Sequence, residues 1–178
     1  ISTDMLVSGT HFLHDTEPYM LGHKALAVNI SDMAAMGAQP RWATLALSLP
    51  SEDGAWLERF SAGFFALADA SKVALIGGDT TRGPLNLCVT IMGEVPQGQA
   101  LRRDGAEPGD EVWVSGRLGD AARVLAYLQG KVALDVATLA ATAPPFSTSS
   151  PPPPHRSSPC PPPIRESLPA PPSKTSWP

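Results

Sequence analysis

Residues 21–49, LGHKALAVNISDMAAMGAQPRWATLALSL, decide how this chain folds. Up to Ala38 the stretch is rich in Ala, Leu and Met, has no proline, and is closed by Gly37 and Pro40, so it predicts a helix. Residues 42–49 then have the length and apolar character of a strand, which Pro50 ends. Beyond it, Ser51 is placed to cap a second helix, with Glu52 and Asp53 in a first turn where the helix dipole favours acids. In that helix Trp56, Phe60, Phe64 and Leu67 recur at helical spacing and are expected to face a sheet.

Working outward, residues 1–7 (ISTDMLV) read as a short strand. Residues 73–76 read as another, running into Gly77-Gly78-Asp79-Thr80. Residues 85–95 and 111–114 complete the strands, and residues 120–129 make a third helix. The order β-α-β-α-β-β-β-α predicts an α/β (α+β) domain, a mixed sheet with helices on one face.

Composition divides the chain. Of its 20 prolines, 14 lie between Pro144 and Pro178. Through Ala143 there are 10 Lys+Arg against 16 Asp+Glu, a net charge of −6, while the remainder is +2. We therefore expect a folded region over residues 1–141 and a proline-rich, disordered tail with local polyproline II over 142–178. That tail reads either as an SH3-type ligand, as a solvated tail, or as a translated wrong frame. The chain opens on Ile1 inside a strand, which reads as the loss of a preceding segment.

An acidic folded region argues against nucleic acid, whose phosphates call for clustered Lys and Arg. It suits a protein that handles anions through metal ions held by carboxylates. No apolar run approaches the ~20 residues that span a bilayer. Cys88 and Cys160 form neither a CxxC nor a zinc spacing, so a reduced, cytoplasmic setting is expected.

Four groups could carry chemistry. Ser2, Thr3 and Asp4 offer two hydroxyls and a carboxylate to a hard cation, or form an ordinary strand end; His11 follows seven residues after Asp4. Asp32 shares a helix face with Asn29, and must be exposed, paired or bound to a cation. Gly77 to Pro84 (GGDTTRGP) reads as a common turn or as a phosphate approach with Asp79 beside a metal. Arg102-Arg103 is a phosphate clamp or a solvated basic pair. The chain has no GxxxxGK[ST], no GxGxxG and no protein-kinase signature, so a nucleotide site here would be built on carboxylate–Mg²⁺ bridges.

Taken in order, ISTDMLVSGTHF, LGHKALAVNISDMAAMGAQPRW, AWLERFSAGFFALAD, LIGGDTTRGPLNL and ALRRDGAEPGDEVWVSGRLGDAA resemble the blocks of the thiamine-monophosphate kinase family, from Ile1 to about Ala141. The wider superfamily includes aminoimidazole ribonucleotide synthetase and selenophosphate synthetase. The resemblance implies the ATP-binding N-terminal domain of that superfamily, a homodimer joining two sheets, and phosphoryl transfer from ATP to thiamine monophosphate. It implies Mg²⁺ ligands at Ser2, Thr3, Asp4, Asp32 and Asp79. It also implies ATP contacts at Gly78, Asp79 and Arg103, and a substrate contact at His11.

The chain departs from that pattern as well. The family's upstream Gly-Asp-Asp block and its C-terminal domain are absent, so a weakly active or inactive form is expected. The alternatives are another ATP-using enzyme of the superfamily, or a nucleotide-binding or dimerising module with a partner-binding tail.

Overall fold

Strand β1 (Ser2–Val7) is followed by α1 (Pro18–Ala35), β2 (Gln39–Leu49), α2 (Gly54–Ser71), β3 (Ala74–Arg82) and β4 (Asn86–Glu94). The computed structural model describes residues 1–112 and 118–142. The chain divides into two units at Arg117/Leu118, and helices α3 (Asp120–Leu128) and α4 (Val136–Thr142) belong to the second.

The four strands form one mixed sheet in the order β1-β4-β2-β3. β4 runs antiparallel to both β1 and β2, whereas β2 and β3 are parallel, joined by the α2 crossover. Strand periodicity sorts the side chains. Leu6, Ala43, Leu47, Leu87, Val89 and Ile91 are buried in one core with Phe60 and Phe64 of α2 and Leu21 and Leu26 of α1. Each large side chain buried there contributes about 1.5–3 kcal/mol. Both helices cover this face, as expected. On the opposite face Met5 and Trp42 remain 54% and 41% exposed, so that face is open in the single chain.

Helix α1 starts three residues before the expected Leu21. Pro18 suits a first helical position, and the Glu17 carboxylate caps the turn by accepting from the Met20 N–H at 3.0 Å. In α2 the cap is Asp53, which accepts from the Trp56 N–H at 3.0 Å, and not Ser51. The helix begins at Gly54, so only the residue before it can reach the first free N–H groups.

The aromatic row of α2 stacks along the helix, Trp56 on Phe60 at 5.1 Å and Phe60 on Phe64 at 6.4 Å. Glycine sets the approach of α1 to α2. A Cβ on Gly22 would lie 2.0 Å from the Phe60 carbonyl oxygen, and one on Gly63 would lie 1.9 Å from that of Tyr19. Arg59 then bonds Glu17 at 2.6 Å across the same crossing.

Two expectations near the sheet are corrected. Gly77 to Arg82 is not a turn but continues β3, because its backbone pairs with Thr44 to Leu49 of β2. Glu111 and Val112 are not in a strand, and the rest of the expected 111–114 strand lies outside the described residues. The proline-rich stretch from residue 143, with Cys160, also lies outside them.

Candidate functional site

A cavity of about 320 Å³ opens where β1 begins and α1 ends. Its lining includes Ser2, Asp32, Met33, Met36, Arg102 and Arg103. The alternation of β1 builds one wall, since Ser2 and Asp4 share the helix-covered face with buried Leu6. Ser2 Oγ donates to Asp32 Oδ2 at 2.5 Å, fixing the half-buried carboxylate over the strand. Asn29, one turn earlier on α1, is fully buried and donates Nδ2–H to the Ala25 carbonyl at 2.9 Å.

The second wall comes from the loop after β4. The Leu101 N–H donates to the Met36 carbonyl at 3.0 Å and so docks the loop on the end of α1. Arg102 is held by both oxygens of Asp104 at 2.9 Å, through Nε and Nη2. Arg103 has no carboxylate within ion-pair distance among the described residues, and it lines the cavity beside Asp32. The pocket therefore combines a carboxylate oriented by a hydroxyl with a guanidinium free to take an anion.

The remaining sequence candidates are not drawn into this pocket. Thr3 points to the open face, where its Oγ1 meets Thr90 Oγ1 at 2.9 Å. Asp79 pairs in register with Ala46, which pairs with Cys88, which pairs with Met5, so it too lies on the open face. Its strand is the far edge, three strand spacings or about 14 Å from β1. Gly78, with φ of +150°, would place a Cβ 1.9 Å from the Leu45 carbonyl oxygen, so close strand packing by itself demands glycine there.

His11 follows the opposite end of β1, about 17 Å along the strand from Ser2. There its Nδ1 accepts from the Val7 N–H at 3.0 Å, and its carbonyl accepts from Lys24 Nζ at 2.5 Å. Met33 and Met36, which line the pocket, carried no chemical signal in the sequence; only their helical spacing beside Asp32 places them there.

Among the described residues no three His, Cys, Asp or Glu side chains are grouped to hold a metal ion. Mg²⁺ asks for less from a protein, since it commonly takes one or two carboxylates and completes its shell with water and substrate phosphates. The hard oxygens of Ser2 and Asp32 fit such an ion, while Asp4 shares the strand face of Ser2 but does not line the cavity. No helix among the described residues is long and apolar enough to cross a membrane.

The mixed sheet with helices on one face matches the N-terminal domain fold of solved thiamine-monophosphate kinases. Residues 1–95 match the family described as AIR synthase related protein, N-terminal domain, and the chain belongs to that family. The chain is 57% identical over 132 residues to thiamine-monophosphate kinase of Salmonella typhimurium, an alignment covering 74% of this chain and 41% of that protein. It therefore spans well under half the length of that curated relative. The solved thiamine-monophosphate kinase of Stenotrophomonas maltophilia is 57% identical and superposes with a TM-score of 0.70, over 76% of this chain and 45% of that one. A structure of AaThiL complexed with AMPPCP and TMP is 36% identical with a TM-score of 0.70, over 78% and 45%.

Proposed function

We propose that this chain is the nucleotide- and Mg²⁺-binding part of a thiamine-monophosphate kinase, which transfers the γ-phosphoryl group of ATP to thiamine monophosphate and yields thiamine diphosphate. The observation that carries this reading is the convergence of Ser2, Asp32 and Arg103 on one cavity, in a chain 57% identical to a protein of that name. The AMPPCP and TMP held by the related AaThiL are a non-transferring ATP analogue and a phosphate acceptor, which supports the same pair of substrates here.

In this reading Asp32, oriented by Ser2, and Asp4 are the residues that would hold Mg²⁺. The ion, when bound, offsets the charge that develops on the transferring phosphoryl group. Arg103 binds a phosphate oxygen of ATP through its fork of N–H groups. Met33 and Met36 supply the apolar part of one wall of the pocket.

Thr3, Gly78, Asp79 and His11 have their proposed roles as metal, ATP and substrate contacts on the open face and at the strand ends. A second copy of the chain covers that face, so the working form is a homodimer. The cytoplasm is its compartment.

A chimaera tests this. The matching 132-residue segment of the Salmonella typhimurium enzyme is replaced by that of the present chain. With ATP, thiamine monophosphate and Mg²⁺ it should form thiamine diphosphate, and its Asp32→Asn variant should not. A soluble, folded chimaera that binds ATP but makes no thiamine diphosphate would falsify the reading.

A further inference from the structure

The loop between β1 and α1 holds one imidazole by a single nitrogen and leaves the other open. The Val7 N–H donates to His11 Nδ1 at 3.0 Å. A backbone N–H can only donate, so Nδ1 presents its lone pair and the one proton of the neutral ring lies on Nε2. His11 is exposed, and its Nε2 has no partner among the described residues.

The backbone that carries the ring is fixed from several sides. The N–H groups of Thr10 and His11 donate to the Val7 carbonyl at 3.1 and 2.9 Å, and that of Gly9 donates to the Phe12 carbonyl at 2.8 Å. Phe12 is buried in the core and anchors the far side of the loop. Ser8 Oγ and His14 Nδ1 bond at 2.8 Å. Gly9, with φ of +78°, leaves the room that the His14 ring occupies, since a Cβ there would lie 2.9 Å from it. Lys24 adds a tie from α1, its Nζ donating to the His11 carbonyl at 2.5 Å. That lysine is exposed and holds no carboxylate among the described residues, so its ammonium is given to the loop.

We propose that Lys24 is a positioning residue, which together with the Val7 N–H sets His11 as a fixed donor, its Nε2–H offered to an acceptor oxygen of the substrate. The ring then lends a hydrogen bond and takes no proton, because its basic nitrogen is already engaged. The contact with substrate rests on the kinase reading; the tautomer and the part of Lys24 do not.

Long-range ¹H–¹⁵N spectra of the whole labelled chain, in mildly alkaline buffer, test the tautomer, and His11→Gln assigns the signals. His11 should show a protonated Nε2 and a bare Nδ1. Lys24→Met should give mixed tautomers, and Lys24→Arg, which can still donate to the carbonyl, should restore the original pattern. In the chimaera described above, Lys24→Met should raise KM for thiamine monophosphate about threefold or more with kcat within about twofold. His11→Asn can still accept from Val7 but ends short of Nε2, and should raise that KM about tenfold. A protonated Nδ1 in the unaltered chain, spectra indifferent to Lys24→Met, or a KM unmoved by His11→Asn overturns the proposal. A chimaera that makes no thiamine diphosphate overturns the kinase reading, and the substrate contact with it, whatever the spectra show.

Discussion

Ser2 Oγ donates a hydrogen bond to Asp32 Oδ2 at 2.5 Å, joining the first residue of β1 to the last turns of α1. Thirty residues apart in sequence, the two groups define one edge of the cavity. The bond holds a half-buried carboxylate in a single orientation, and so determines where a cation can sit beside it.

Loss of that carboxylate should be felt in ligand affinity and not in folding. Asp32→Asn should weaken Mg²⁺–ATP binding by about 30-fold or more. Ser2→Ala keeps the charge but frees its orientation, and should cost about tenfold. Calorimetry with Mg²⁺–ATP measures both, with circular dichroism as the control.

The neighbouring arginines should behave differently despite being adjacent. Arg103→Ala removes the unpaired guanidinium of the cavity and should weaken ATP by about tenfold. Arg102 is already held by Asp104 on the surface, so Arg102→Ala should change nucleotide affinity less than twofold. Equal losses in the two variants would show that the loop, and not Arg103, makes the contact.

The helix crossing predicts a stability effect far from any ligand. Gly63→Ala places a methyl group against the Tyr19 carbonyl, a backbone atom that cannot swing away. Destabilisation of about 3 kcal/mol is expected in urea unfolding, the upper end of overpacking costs. Gly54→Ala, where nothing lies within 4 Å of the added carbon, serves as the neutral reference.

Acid should destabilise the fold in two stages. Burial holds His23 below the ordinary imidazole value of 6.5, so the unfolded chain takes up its proton first. That contribution to stability is complete above pH 6.5 and is lost as pH falls through the lower folded value. Burial pushes Glu17 up, but the Arg59 hydrogen bond and the Tyr19 and Met20 N–H groups outweigh it and bring it below 4.5. Its share is therefore present above pH 4.5 and disappears below it. Thermal melts between pH 8 and 4 should show His23→Gln flattening the first stage only.

The sheet and its two covering helices were legible because their signals are periodic. Alternation in residues 85–95 and helical spacing in α2 survive any tertiary context. Gly77 to Arg82 misled because glycine and aspartate usually mark turns, whereas here the parallel partner β2 supplies the hydrogen bonds that carry the strand on. Ser51 misled because three acceptors, Ser51, Glu52 and Asp53, stand in a row and only the helix start chooses between them.

The candidate site was half legible. Ser2, Asp32 and Arg103 line one cavity, but adjacency in Ser2-Thr3-Asp4 conceals that neighbours on a strand face opposite ways. Gly78 was read as a phosphate approach, and its need for glycine is already explained by the Leu45 carbonyl.

The position of Asp79 has a consequence for how the protein must be assayed. Asp32 and Asp79 lie on opposite faces of one sheet and near its opposite edges, three strand spacings or about 14 Å apart, so one phosphate group does not reach both within a single chain. If both serve the same phosphates, the order of the reaction in protein changes. Specific activity then rises with protein concentration until pairing is saturated, and Asp79→Asn is silent in the dilute limit. Dilution thus separates, without any further substitution, the groups that act in their own chain from those lent to another.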